Sequence, residues 1–273
     1  KNIDILNLVE TQFDTLLHNT GVEKFRFQKL DEEINLITLA AKYADLTLEY
    51  LRDNGQDLIN NKLNERELVK ICTEYSKNQM LKDLPNDFDE TPCNVVATIH
   101  SGPRGALPHG KSLSRIPKSN ETLICGVGAC VGGMYAESGV TFILGDPNKD
   151  QENIMIAMQK ANDEVVRNLK EGQICEEINK IAFEIYHEYG LGEFIRHRIG
   201  HGMGFEGHEA PWLSPGDKTI LKNKMVFSNE PGIYRPNIDG YRTISSMIVD
   251  SNEGIQISNF LNKNFENRII NIR

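Results

Sequence analysis

The sequence predicts an α+β domain of two pseudo-symmetric helix-helix-strand halves around a central cleft. Three observations carry that expectation. An apolar stripe, Ile34, Ile37, Ala41, Ala44, Leu48 and Leu51, recurs at spacings of three and four, as one face of a helix requires. A pair of helices followed by β-prone runs occurs twice, the second time after Asp146-Pro147. Glycine, histidine and carboxylate residues then concentrate in the strand-rich parts of both halves.

Taken in order, Asp31, Glu32 and Glu33 stand where the first turn of the first helix favours negative charge, and Asn54-Gly55 is read as its end. A second helix is expected from about Glu65 to Asn78. A loop around Pro85 leads into short strands at Val95 to Ile99 and Thr122 to Cys125. The second half opens with a helix from about Gln151 to Leu169, carrying Ile154, Ala157, Ala161, Val165 and Leu169 on one face. The next carries Ile174, Ile178, Ile181 and Ile185, with Gly190 suited to cap it. Strands follow near Lys224 to Ser228 and Ile244 to Val249. Residues 1–25 are read as a linker or the remnant of an N-terminal region, and residues 26–273 as the domain.

Composition excludes several classes. Of 273 residues, 39% are hydrophobic, which is enough for a sizeable core. The net charge of −9 disfavours nucleic acid and anionic membrane as partners, since neither polyanion is attracted at long range. No apolar run approaches the roughly 20 residues that span a bilayer, and no signal-peptide core opens the chain. A start at Lys1 rather than Met is read as a trimmed N-terminus. Five cysteines, odd in number and without a CxxC pair, argue against a disulfide scaffold and for a cytoplasmic location.

The chemistry-bearing residues fall in three segments. The first is Leu107-Pro108-His109-Gly110. The second runs from Gly126 through Gly128, Gly132 and Gly133 to Tyr135 and Glu137. The third runs from Gly200-His201-Gly202 to His208-Glu209-Ala210-Pro211, followed by Asn229-Glu230-Pro231-Gly232-Ile233-Tyr234. Glycines flanking His201 let backbone or ligand approach the imidazole closely. A lone histidine in such a loop is more often packing than chemistry. Two histidines seven residues apart, flanked by Glu206 and Glu209, make a cluster suited to metal binding or acid–base work.

The strings LPHG, GxGAxxGGxYxE, GHGxGxExHExP and NEPGIY resemble the M24 peptidase family, which includes Xaa-Pro aminopeptidase, prolidase and creatinase. The resemblance covers roughly Arg26 to Ile257 and implies the pita-bread (creatinase/aminopeptidase) fold. Metallopeptidases of this family hold two divalent metals with Asp, Asp, His, Glu and Glu. Carried over residue by residue, these positions fall on Gly126, Glu137, His201, Glu230 and Ile244. Gly126 and Ile244 are lost ligand positions. At most one ion on Glu137, His201 and Glu230 is expected, because two adjacent divalent cations need more anionic oxygens than remain. The resemblance accordingly implies no required cofactor, or one weakly bound Mn, Zn or Co ion.

The surrounding catalytic residues match. His109 corresponds to the histidine that stabilises the tetrahedral intermediate in the peptidases and shuttles protons in creatinase, and His208 to the one that contacts the scissile group. With Glu137 and Glu230 these form the expected catalytic set, and His201, Arg242, Tyr234 and Trp212 the expected substrate-binding set. Creatinase-type acids are absent: Gly139 and Val140 replace an acid and an Arg, and no acid follows Arg242. Cys125 and Cys130, among apolar neighbours, are read as inert thiols, and His100, His187 and His197 as structural or surface residues. Arg104 and Arg235 suit either a substrate carboxylate or ordinary ion pairs.

Three functions follow from these residues. The first is hydrolysis of a C–N or peptide bond in a small molecule or short peptide without a dinuclear metal centre. The second is a catalytically inactive pseudo-peptidase that binds a peptide or protein. The third is a single-metal Xaa-Pro peptidase. Relatives in the family are often dimers, so a homodimer is an expected assembly.

Overall fold

The first apolar stripe folds as a helix, and it runs further than its sequence signals indicate. The computed structural model describes residues 21–260 and 265–272. Helix α1 (Gly21–Phe27) is followed by α2 (Asp31–Asn60) and α3 (Glu65–Asp83). Asn54-Gly55 is therefore not a helix end. Gly55 is buried inside α2, where a Cβ would meet Ile270 Cδ1 at 3.0 Å, so the glycine admits a neighbouring chain rather than a turn. Helix α3 also outlasts its expected end at Asn78 by five residues. Its start is fixed by Asn64, whose side chain accepts hydrogen bonds from Arg66 N and Glu67 N while Glu67 bonds back to Asn64 N. The expectation for residues 1–25 lies largely outside the described residues.

Strand β1 (Asn94–Ser101) pairs antiparallel with β2 (Thr122–Val131), and β2 with β3 (Met134–Leu144). β2 extends well beyond the Cys125 end that the sequence suggests. Gly126 and Gly128 do not break it, because both are hydrogen-bonded into the ladder between β1 and β3. Helices α4 (Lys149–Asn168) and α5 (Cys175–Glu188) follow. Gly190 takes the left-handed φ of +70° expected beyond the end of α5. Next come β4 (Gly200–Gly202), β5 (Glu209–Leu213), β6 (Val226–Asn229), β7 (Gly232–Arg235), β8 (Asp239–Arg242), β9 (Ile244–Ile248), β10 (Ile255–Gln256) and β11 (Ile269–Ile270).

The main sheet runs β1-β2-β3-β9-β6-β4-β5, and β7 and β8 form a separate hairpin. One core joins α2 and α3 to β1, β2 and β3 through Ile37, Leu48, Leu68, Leu123 and Phe142. A second joins α4 and α5 to the β6 and β9 region through Ile154, Ile178, Phe227 and Met247. Each such aliphatic or aromatic side chain contributes about 1.5–3 kcal/mol by leaving water. The β3–β9 junction, where Gly139 faces Ile244, links the strands of the two parts. Among the described residues, no helix is long and apolar enough to cross a membrane.

Candidate functional site

His201 is held at the middle of three strands. β4 pairs with β5 on one side and β6 on the other, and its two glycines lie where neighbouring backbones press in. A Cβ on Gly200 would collide with the Ser228 carbonyl oxygen, and one on Gly202 would stand 2.6 Å from the Ala210 oxygen. The glycines thus serve close strand packing around a fully buried imidazole. Gly200→Ala is expected to destabilise the protein by about 2 kcal/mol or more, read as a lowered urea midpoint with unchanged slope. An unshifted midpoint would contradict the packing argument.

The acids come from different strands. Glu230 follows β6, and its Oε1 lies 3.3 Å from His201 Nε2. Glu137 in β3 places Oε2 3.8 Å from the same nitrogen and accepts a hydrogen bond of 2.8 Å from Ser228 Oγ. His201 Nδ1 donates to the Gly202 carbonyl at 3.0 Å, which aims Nε2 at the two carboxylates, although neither is aligned for a good hydrogen bond. His208 stacks on His201 with ring centroids 4.0 Å apart.

Charge separates within this cluster. Burial alone would lower the His201 pKa, but Glu230 and Glu137 outweigh it and raise it. Burial acts upward on Glu230, yet His201 and Arg242 hold its carboxyl down at about 2. Glu137 is raised by burial and by repulsion from Glu230, against the pull of His201. His208 is lowered by burial and by the neighbouring His201, which favours a neutral imidazole. Two carboxyl groups within reach of one histidine are thus pushed in opposite directions, the pattern of an acid–base site.

The cleft beside these groups is also lined by His109, Gly126, Arg242 and Ile244. His109 stands exposed at its mouth, 6.2 Å from the His197 ring. His197 is the residue that sequence reasoning placed among structural or surface histidines. It sits instead beside the cleft, with Nδ1 donating to the Arg198 carbonyl and the Tyr234 hydroxyl 2.8 Å from Nε2. Burial lowers its pKa, and as a neutral imidazole it accepts a hydrogen bond from the Tyr234 hydroxyl at Nε2. The one available signal was its position four residues before His201. Tyr234 is buried and therefore orients His197 from below. Trp212 stands edge-on to His201 at 6.4 Å beneath the Arg198 guanidinium, and it also lines a depression beside His208.

The remaining readings separate cleanly. Arg104 pairs with Glu65 at 3.1 Å, and Arg235 with Asp239 and Asp150 at 2.6 Å each, so both are ion-pair residues. Cys125 and Cys130 are buried, and burial drives both thiols upward, which makes them poor nucleophiles. His100 is buried under the His109 loop against Gly110. His187 is exposed.

Two of the five ligand positions that the resemblance marks, Gly126 and Ile244, offer no side-chain donor. A Cβ on Gly126 would meet Arg242 Nη2 and Ile244 Cδ1, each at 3.0 Å. A guanidinium and an alkyl group therefore fill the space that two carboxylates would need. Ile244 is itself accommodated by Gly139, where a Cβ would stand 2.7 Å from its Cδ1. A single ion does fit the donors present: ligand atoms of Glu137, His201 and His208 all lie within 4.8 Å of one another, with Glu230 adjoining. His208 replaces Glu230 in the tightest group, which spacing in the sequence did not indicate.

Comparison with known proteins identifies the family and the fold. The profile of metallopeptidase family M24 matches residues 35–260. The chain is 32% identical to an Xaa-Pro dipeptidase of Pyrococcus furiosus over 231 residues, covering 85% of this chain and 63% of that protein. An Xaa-Pro dipeptidase structure from Bacillus anthracis superposes with a TM-score of 0.76 at 28% identity, over 87% of this chain and 63% of that one. The N-terminal domain of the FACT complex subunit SPT16 from Cicer arietinum shares the fold, with a TM-score of 0.81 at 17% identity over 96% of this chain and 67% of that one. The chain thus spans less than two thirds of the length of the dipeptidases it matches. A profile match over most of its length, on a pita-bread fold with the motif residues gathered in one cleft, makes this chain a member of metallopeptidase family M24.

Proposed function

We propose that the protein hydrolyses a peptide or amide C–N bond in a small substrate without a dinuclear metal centre. The observation that supports this best is the contrast within the cleft. His109, His208, Glu137 and Glu230 converge there, while Arg242 and Ile244 crowd the position of a metal-ligating carboxylate at Gly126. In this reading His208, held neutral by burial, hydrogen-bonds and orients the scissile carbonyl. Glu137 holds a water molecule and accepts its proton as the oxygen attacks the carbonyl carbon. His109 delivers a proton to the leaving nitrogen as the C–N bond breaks, and its exposure at the mouth lets it exchange that proton with solvent. The Glu230–His201 pair keeps Glu137 and His208 in register. Such general acid–base catalysis is worth about 10²–10⁴-fold, enough for an activated amide or amidine. A single divalent ion on Glu137, His201 and His208 would, when bound, add Lewis acidity at the carbonyl.

The Xaa-Pro dipeptidases among the similar proteins make Xaa-Pro dipeptides the first substrates to test, beside guanidino and amidino acids. Each is to be assayed after EDTA treatment and with added Mn²⁺. Turnover that survives EDTA is the expected result. Turnover restored only by about one equivalent of metal would replace the proposal with a single-metal peptidase. A second reading, a peptide-binding module, is favoured by the filled ligand space at Gly126. It requires dipeptide binding with no turnover under either condition. A small-molecule or dipeptide substrate and a homodimeric assembly belong to the same proposal.

A further inference from the structure

The loop that carries His208 has little of its own to hold it in place. It joins β4 to β5, and Phe205, Glu206 and His208 on it are exposed. Nothing lies within 4 Å of the point where a Cβ would stand on Gly207. Gly204 takes a φ of +145°, a region that glycine enters without strain. Beyond its stack on His201, the His208 ring has no hydrogen-bond partner among the described residues. The next residue is anchored instead. Glu209 Oε1 accepts a hydrogen bond of 2.8 Å from Lys29 Nζ, and its Oε2 accepts one of 3.1 Å from Glu206 N, which closes the loop on itself. The Lys29 side chain is 1% exposed and that of Glu209 10%. Lys29 reaches Glu209 over Gly204, where a Cβ would collide with its Cε. Its ammonium also donates to the Arg26 and Phe27 carbonyls, and its backbone N–H donates to the Lys224 carbonyl at 2.9 Å, so the lysine stands on a fixed base. Arg26 approaches Glu206 and Glu209 at 3.5 and 3.6 Å, but its side chain is 34% exposed and solvent screens those pairs.

From this geometry we infer that Lys29 is the positioning residue of His208. Its buried ion pair with Glu209 fixes the loop, so that the neighbouring imidazole stays against His201 and faces the cleft. A buried pair suits this task, because swinging the loop away would strand an unpaired charge in a dry site. An exposed loop with two glycines and no such anchor would sample many positions. The inference rests on the hydrolase reading for what His208 does, namely orienting the scissile carbonyl, and not for where it stands.

The position of His208 is read without turnover, so this inference and the hydrolase reading fail separately. In protein carrying ¹³C-labelled histidine, the His208 ring protons lie over the His201 face and should resonate upfield of a free imidazole, with His208→Gln assigning the signal. Lys29→Met and Glu209→Leu each leave one buried charge without its partner and should lower the melting temperature. The double variant, Lys29→Met with Glu209→Leu, removes both charges, and its melting temperature should return toward that of the parent. It should nevertheless lose most of the upfield displacement, since neither replacement can make the bonds that close the loop. On a substrate that is turned over, its kcat should fall by about 10-fold or more, as a misplacement of about 1 Å accounts for. Arg26→Met, which removes only the screened pairs, should keep both the signal and kcat. A purely structural role of Lys29 predicts the opposite for the double variant, namely that displacement and kcat return together with stability. That result, or an unchanged His208 signal in a folded Lys29→Met protein, would overturn the inference.

Discussion

Replacing His109 by alanine should lower kcat by about 100-fold or more on whichever amide proves to be turned over, with KM changed much less. The side chain is exposed at the mouth of the cleft, and its aromatic neighbour is the His197 ring 6.2 Å away. Its removal therefore leaves the cores untouched, and stability should stay within about 0.5 kcal/mol. A group that donates a proton only as the C–N bond breaks contributes to the transition state and little to substrate binding, hence the split between kcat and KM. Steady-state kinetics with a thermal melt as folding control is the measurement. A folded His109→Ala protein with full kcat would remove this residue from the mechanism.

The second large effect is expected from Gly126→Asp combined with Ile244→Glu. An aspartate introduced alone at position 126 would lie against Arg242 and be spent on an ion pair, since a Cβ there already stands 3.0 Å from Nη2. The second substitution replaces the alkyl group that crowds both Gly126 and Gly139 with another carboxylate. Together with Glu137, His201 and Glu230 the set then contains four carboxylates and an imidazole, enough to hold two divalent ions. Mn²⁺ should bind at least about 10-fold more tightly than to the parent, and elemental analysis should move from well under one equivalent toward two. Two tightly held ions in the unmodified protein would show that other residues complete the site, and the metal-independent proposal would fall.

Both experiments depend on positions that the sequence marked in different ways. His109, His201, His208 and Glu230 stand in local strings whose residue types are explained by chemistry alone, so the chain itself names them. Gly126 is marked as a ligand position only by the family resemblance, as the residue before Val127-Gly128-Ala129 and eleven before Glu137. What fills the gap is not readable there, because Arg242 and Ile244 arrive from β8 and β9, more than a hundred residues later. His197 was missed for a related reason. Its place beside His109 goes with a hydrogen bond to Tyr234 across 37 residues, and the local string offers only its position four residues before His201.

The same division holds for the fold. The sequence by itself determined the helices, since a three-to-four apolar period requires an apolar neighbour on one side wherever the helix lies. It also carried the four strings and, through them, the family. Element ends were decided by tertiary contacts. Gly55 continues α2 because Ile270 packs on it, and β2 passes through Gly126 and Gly128 because β1 and β3 hydrogen-bond to it on both sides. A glycine's local preference is worth about 1 kcal/mol, which ladder hydrogen bonds and close packing on two flanks together outweigh. What stands at the place of the missing ligand was likewise decided only in three dimensions, where a buried guanidinium and an isoleucine side chain come to rest beside a glycine.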